Sequence, residues 1–377
     1  MRSRWITDIE EFNGLAGEWD RLLINSGEDN PFLLSKFLLT WWKYYSPALV
    51  LRIFTVFDEN GRLIGGLPLC GTKKGNLSYM GGWAANYTEF LSSGKDGSVL
   101  LLWKAFFESL QVTRDWQSLR LKRYRKNKLN IDALKILASE RHNNLLFDFH
   151  KNGWGYLIKI PEDFSNYIGH IPKKLRYYVK RAEKELSKIG RVSLSSVGDC
   201  GQVSRIADDY VRFSQDSFRA RGKKSVYENP RYRMFLKELI NKFCSARYLD
   251  TNVLKLDDRI IAIHFGYSTG NNLNYVFTSF DMDFAEFSPG HLLIYKLIEL
   301  GAKRRNEFLD FYSGWNLYKD KWCNLKDEII TIEIRRNSVG NKIKRSLNLR
   351  ARNLPFLSKA KDVIRCSPFF AWVHKNN

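Results

Sequence analysis

Apolar residues recur at three-to-four spacing over Phe12 to Leu23 and Phe32 to Tyr45, which predicts two amphipathic helices. The pattern then tightens: Leu49 to Phe57 reads as a strand, Asp58-Glu59-Asn60-Gly61 as a turn and Arg62 to Leu69 as a second strand. A third short strand, Asn76 to Met80, ends at Gly81-Gly82. A helix (Ser98 to Gln111), a strand (Ser118 to Leu121), a helix (Ile131 to Ser139) and a strand (Leu145 to Phe149) follow. The second half repeats this order, with helices at Val203 to Arg219 and Arg231 to Phe243 and strands at Tyr248 to Leu256, Ile260 to Tyr267 and Leu273 to Phe280. A helix from Pro289 to Lys303, a strand at Phe308 to Phe311, a short helix around Leu317 to Asn324 and a strand at Ile329 to Arg335 complete it.

A doubled order of helices and strands predicts an α/β (α+β) chain of two units, 1–155 and 156–335, each a mixed central sheet flanked by helices. Between the last strand of one unit and the first helix of the next lies Ile171 to Arg191. Its Leu175, Val179, Ala182 and Leu186 form an apolar stripe at helical spacing. Around that stripe stand Lys173, Lys174, Arg176, Lys180, Arg181, Lys184, Lys188 and Arg191 against Glu183 and Glu185, a net +6. This predicts a basic amphipathic helix, either a solvated wall of a groove or a seat for phosphates or an acidic protein. Residues 336–377 form a second basic segment, ten Lys/Arg against Asp362, interleaved with residues such as Phe356, Phe369 and Trp372. That mixture suits a membrane surface, an acidic partner or helices packed back on the first unit.

The whole chain carries +21 over 377 residues, a field that steers acidic partners without choosing among them. Cys70, Cys200, Cys244, Cys323 and Cys366 are scattered without a C-x-x-C pair, and read as small apolar side chains or idle thiols rather than staples or zinc ligands. The six histidines lack metal-binding spacing, so no metal is expected. No apolar run reaches the roughly 20 residues that span a bilayer. Met1-Arg2-Ser3-Arg4-Trp5 has no apolar segment behind it, so a cytoplasmic protein is expected, held at the inner membrane face if the basic tail binds lipid.

The chemistry concentrates between Leu273 and Gly301. A strand ends at Phe280-Asp281. Ser288 then occupies an N-cap position, with Pro289 at the first helical position and Gly290 leaving the amides uncovered. Open amides at a helix start can cradle a pyrophosphate. From about Ile171 to Ile334 the chain resembles the CelD/BcsL-type acetyltransferase family of the GNAT superfamily. The resemblance rests on Pro172-Lys173-Lys174-Leu175-Arg176, Asp216-Ser217-Phe218-Arg219-Ala220-Arg221-Gly222 and Ile261-Ala262-Ile263-His264-Phe265-Gly266. It continues through Ser279-Phe280-Asp281, Phe287-Ser288-Pro289-Gly290-His291-Leu292-Leu293, Asp310-Phe311 with Ser313-Gly314, and Tyr318-Lys319 with Trp322. That family is similar in turn to the tandem-GNAT FemABX aminoacyltransferases. The GNAT pyrophosphate motif is only half present in Phe287 to Leu292.

The resemblance implies a tandem GNAT fold and an acyl-CoA (acetyl-CoA) donor, with Phe280, Ser288, Gly290, His291, Leu292 and Lys319 holding it. Acyl transfer to an amine needs a neutral amine, a stabilised oxyanion and a protonated leaving thiolate. His264 and Asp281 are the candidate bases, and Tyr312 and Tyr318 the candidate acids. Lys173, Arg176, Arg219, Tyr275, Asp310 and Trp322 are candidates for the acceptor. The expected function is N-acylation of an amine in polysaccharide or cell-envelope metabolism. An acidic acyl carrier protein replacing coenzyme A, an aminoacyl-tRNA donor and a non-catalytic scaffold in a polysaccharide complex are the alternatives.

Overall fold

The computed structural model describes residues 1–93, 98–128, 131–141, 145–165, 167–268 and 270–337. The first half runs β1 (Arg2–Ile6), α1 (Ile9–Asn25), α2 (Ser35–Tyr45), β2 (Leu49–Phe57), β3 (Leu63–Thr72), β4 (Asn76–Tyr79), β5 (Leu91–Ser92), α3 (Ser98–Val112), β6 (Ser118–Arg125), α4 (Ile131–Arg141) and β7 (Leu145–Lys159). A short α5 (Tyr167–His170) and α6 (Lys173–Leu186) lead into the second half. There follow β8 (Val192–Val197), α7 (Cys200–Arg219), α8 (Pro230–Ser245), β9 (Leu249–Leu256), β10 (Arg259–Tyr267), β11 (Leu273–Asn274), β12 (Phe277–Phe280), α9 (Pro289–Lys303), β13 (Phe308–Ser313), α10 (Leu317–Trp322) and β14 (Leu325–Arg336). From β1 and from β8 onward the halves follow the same order, apart from the two-residue β5 in the first and the division of one strand into β11 and β12 in the second. Local signals start the helices: Asp8 caps α1 through the Glu10 amide and Asp199 caps α7 through the Gln202 amide.

Among the described residues, ten strands form one sheet, ordered β1-β2-β3-β4-β6-β14-β7-β13-β11 with β5 beside β3. Four form a second, ordered β12-β10-β9-β8. The halves exchange their last strands. β14 lies between β6 and β7, antiparallel to both, and β7 pairs with β13. Ile329, Ile330, Ile332 and Ile334 of β14 are buried in the first half's core. The small sheet is covered on both faces, Val253, Ile263 and Phe265 packing toward α7 and α8, Leu254 and Ala262 toward α6 and α9.

Four expectations change. The strand expected to stop at Phe149 continues to Lys159, because Gly153 (φ 120°) absorbs a register shift against β14 instead of breaking the strand. β1 and β8 are additional: each lies on the outer edge of its sheet, where one pairing partner suffices and the apolar pattern is thin. Leu273 to Phe280 is not one strand but two, β11 and β12, in different sheets. Cys200 and Cys244 are joined in a disulfide with Cα atoms 5.8 Å apart, tying the start of α7 to the last turn of α8, so two of the supposed idle thiols form a staple. Of the basic tail, residues from 338 on lie outside the described residues. Among those described, no helix is long and apolar enough to cross a membrane.

Candidate functional site

The split at Tyr275-Val276 creates the site. β12 pairs antiparallel with β10 and ends the small sheet; β11 pairs parallel with β13 and ends the large one. Two sheet edges therefore diverge from one point, and among the described residues no strand pairs with the outer side of β12. The split is braced from behind by a chain of hydrogen bonds. Asn274 donates to the Tyr267 carbonyl (2.8 Å), accepts from the Tyr312 hydroxyl (2.7 Å), and its own carbonyl accepts from His264 Nε2 (3.0 Å). His264 Nδ1 accepts from Asn252 at 3.2 Å, and Asn252 accepts from Ser196. Gly266 is required here, since a Cβ would stand 2.3 Å from the Asn274 carbonyl oxygen.

Beyond Asn274 the chain enters the first half. Tyr312 has positive φ (61°) in a bulge of β13 against β7, which turns its amide onto Asp310 Oδ1 at 2.6 Å. The Tyr87 hydroxyl donates to the same oxygen (3.1 Å), and the Arg125 guanidinium lies over the Tyr87 ring. Arg125 is buried and bonds Glu89, Glu28 and Asp29. Burial lifts Asp310 to about 7, against the pull of the Tyr312 amide and Arg125. Burial and the neighbouring Glu89 lift Glu28 to about 7 as well.

At the front, α9 begins where β12 ends. Asp281 caps the intervening 3-10 turn (Met282–Phe287) through the Asp283 amide, and its other oxygen accepts from Arg259 (2.7 Å). Ser288 is the N-cap of α9 but adopts the left-handed region (φ 57°, ψ 50°) and makes no side-chain cap bond. Pro289 has no amide, the His291 amide is spent on the Ser288 carbonyl, and a Cβ on Gly290 would meet only the Phe280 ring at 3.7 Å. The His291 imidazole stacks on Tyr178 of α6 (5.0 Å, 3° between planes), and its Nδ1 accepts from Trp322 Nε1 at 2.9 Å. Because Nδ1 accepts from Trp322, the ring carries its proton on Nε2, and burial, then Lys321, push His291 below its usual range, in the same direction.

Ser288, Gly290, His291, Phe280 and Trp322 gather around the start of α9. Tyr318 and Lys319 of α10 sit beside β13. Tyr318 packs against Phe311 and Tyr275 and makes no side-chain hydrogen bond among the described residues. Lys319 Nζ donates to the carbonyls of Phe311 (2.7 Å) and Ser313 (3.2 Å), and burial lowers it to about 8. It therefore does not reach out as the donor-phosphate ligand its sequence position suggested. His264 is fully buried with both ring nitrogens engaged, and desolvation lowers its pKa, which makes it a brace rather than a base. Asp281 is a cap and ion-pair partner, and Tyr312 is buried against Phe32 and Tyr87 of the first half. Leu292 points into the core, so only its backbone could meet a ligand.

Among the acceptor candidates, Tyr275 packs on His264 and Phe311, and Asp310 is the buried acid of the brace. Arg176 donates to the Gly169 and Ile171 carbonyls. Lys173 is exposed at the start of α6, and exposed Arg219 pairs with Asp216 at the end of α7. Four contributors were not expected: Tyr178, Asn274, Tyr87 and Arg125. Tyr178 could have been suspected, because it flanks the apolar stripe of α6; the others act across chain separations that no local pattern reveals. Among the described residues no group of His, Cys, Asp or Glu is placed to hold a metal ion.

Comparison with known proteins fits this geometry. Residues 173–320 match the family described as Acetyltransferase (GNAT) domain. No curated protein matches the chain. FemX is similar in structure, at 11% identity over 88% of this chain and 97% of its own, with a TM-score of 0.61. So are L-PGS from Bacillus licheniformis (12% identity, 89% and 95% covered, TM-score 0.55) and the C-terminal domain of a putative lysylphosphatidylglycerol synthetase from Agrobacterium fabrum (10%, 90% and 96%, TM-score 0.54). At such identities the likeness establishes the fold alone. The chain folds as a tandem GNAT protein, two like-ordered units joined by exchanged strands. The match to the acetyltransferase (GNAT) domain family falls within its second half.

Proposed function

We propose that the second unit transfers an acyl group from a coenzyme A thioester to the amine of a small polar acceptor such as an amino sugar. The observation that carries this reading is the free outer edge of β12, which opens beside the start of α9 within the matched domain. An extended thioester arm can bond to that edge as an added strand would. At the start of α9 Pro289 has no N–H and the His291 amide is bonded to Ser288, so the Gly290 amide, with no side chain of its own in front of it, is the group we assign to a phosphate oxygen of the donor.

Two side chains then divide the chemistry. Lys319 has two N–H groups on main-chain carbonyls and one remaining, which we assign to the developing oxyanion. Tyr318, whose hydroxyl has no competing bond among the described residues, is assigned to protonate the departing thiolate, with a bound donor replacing the burial that holds the hydroxyl above its usual range. The acceptor amine loses its proton to solvent, so catalysis rests on positioning more than on a dedicated base. The polysaccharide or envelope setting belongs to this reading too.

The test is calorimetry with acetyl-CoA and a thiol-release assay across amino sugars. Lys319→Met should lower kcat about 100-fold with little change in donor affinity, the size expected when one oxyanion donor is removed. Tyr318→Phe should lower it less. Absence of binding by acetyl-CoA, longer acyl-CoA and free CoA would sink the reading. One observation favours a second: the fold similarity to FemX and the lysylphosphatidylglycerol synthetases supports an aminoacyl ester donor on the same edge. Tight, structure-selective tRNA retention in filter binding across salt would favour it, and a weak, salt-steep curve would dismiss it.

A further inference from the structure

The outer face of α6 carries more positive charge than its own acids neutralise. Leu175, Val179, Ala182 and Leu186 turn inward and are buried. The helix's acids are spent: Glu183 pairs with Lys296 of α9 (2.9 Å) and Glu185 with Lys188 (2.6 Å). Lys173, Lys174, Lys180, Arg181 and Lys184 remain exposed and form no ion pair among the described residues, Arg181 and Lys184 sharing only the field of Glu185, around the exposed Tyr177. From position 173 to 184 this face extends about 16 Å at the helical rise.

The face is coupled to the cleft. Lys174 Nζ lies 6.0 Å over the Tyr178 ring, and Tyr178 stacks on His291 at the start of α9. A macromolecule seated on α6 would therefore stand beside the opening where a thioester arm meets β12. We infer that this face docks an acidic carrier protein that delivers the acyl group on a flexible thioester arm. The inference rests on the proposed thioester chemistry and replaces free coenzyme A, as the source of the acyl group, with a carrier-borne arm whose single phosphate would take the place of the pyrophosphate.

Side-chain type separates an acidic protein from RNA. Four of the five free cations are lysines, mobile point charges suited to scattered carboxylates. Arginine, whose planar fork grips phosphates and stacks on bases, is scarce on this face. Arg176 faces inward with its fork on two carbonyls, which leaves Arg181. A dense array of unpaired charge gives fast, salt-sensitive and weak association, the behaviour a carrier needs if it is to leave after each transfer.

The experiment measures binding of a purified acetyl-loaded acyl carrier protein to the full chain, and to a Lys180→Glu, Arg181→Glu, Lys184→Glu variant shown by circular dichroism to be folded. Bulk tRNA and phosphatidylglycerol vesicles serve as rival probes. The expected result is at least a tenfold rise (about 1.4 kcal/mol) in carrier Kd for the variant, with turnover of free acetyl-CoA within about twofold. Equal carrier binding by both chains overturns the proposal, as does tRNA or vesicle binding that depends on these residues while the carrier does not bind. Charge-dependent carrier binding without thiol release from any donor would leave the docking face standing and overturn the proposed chemistry instead.

Discussion

The two halves share an order of elements and differ at one strand. In the first, β4 pairs with both β3 and β6, so the sheet runs through unbroken. In the second, the corresponding segment divides after Asn274, β11 going to one sheet and β12 to the other. Repeated topology therefore does not repeat a cleft. The first half has become the backing of the second: its Tyr87 holds Asp310, the Asn86 carbonyl accepts from Ser313, and Arg125 gathers the acids behind them.

That division of labour can be broken by mutation, starting with the backing. Arg125→Met leaves Glu28, Asp29 and Glu89 buried together without their cation, and should cost about 3–5 kcal/mol in urea unfolding. Lys126→Met, which breaks an exposed pair with Glu328, should cost no more than about 1 kcal/mol. Equal midpoints for the two variants would mean that the buried cluster carries no special share of stability. Next comes the split itself. Gly266→Ala drives a methyl into the Asn274 carbonyl and should cost about 1–3 kcal/mol. At Gly290→Ala, where the methyl meets only Phe280, stability should hold or rise by up to about 1 kcal/mol.

A smaller effect concerns protons. Asp310 binds its proton more tightly folded (about 7) than at its ordinary value of 3.8, so its contribution to stability fades as pH rises from about 4 to 7. Asp310→Asn cannot ionise, and its Tm relative to wild type should climb across that window. A flat difference in Tm would place Asp310 outside the low-dielectric brace. The smallest effect is at the front: Trp322→Phe removes the N–H that faces His291 Nδ1, and the imidazole pKa, followed by NMR, should rise.

How much of this was legible follows from distance along the chain. α9 was predicted with the bounds it has, and the buried stripe of α6 is the one its spacing indicated, because both are local periodicities. The division after Asn274 was not readable. Leu273 to Phe280 is apolar enough to pass as one strand, and what parts it is the tertiary hold of Tyr312, Tyr267 and His264 on a single asparagine. His264 stood out as a candidate base, yet the space beside it at Gly266 is filled by the Asn274 backbone rather than by a ligand. The Cys200–Cys244 link lies 44 residues apart and depends on how α7 and α8 pack, which spacing alone does not convey.

The exchange of last strands sets a timetable for biosynthesis. β6 and β7 are held apart by β14, so the large sheet cannot close until the ribosome has delivered Arg336. A nascent first half must wait with two strand edges bare, as an incomplete template for pairing with other chains. One strand, the last of the described elements to leave the ribosome, thus closes the first half's sheet and completes the second half's topology at once.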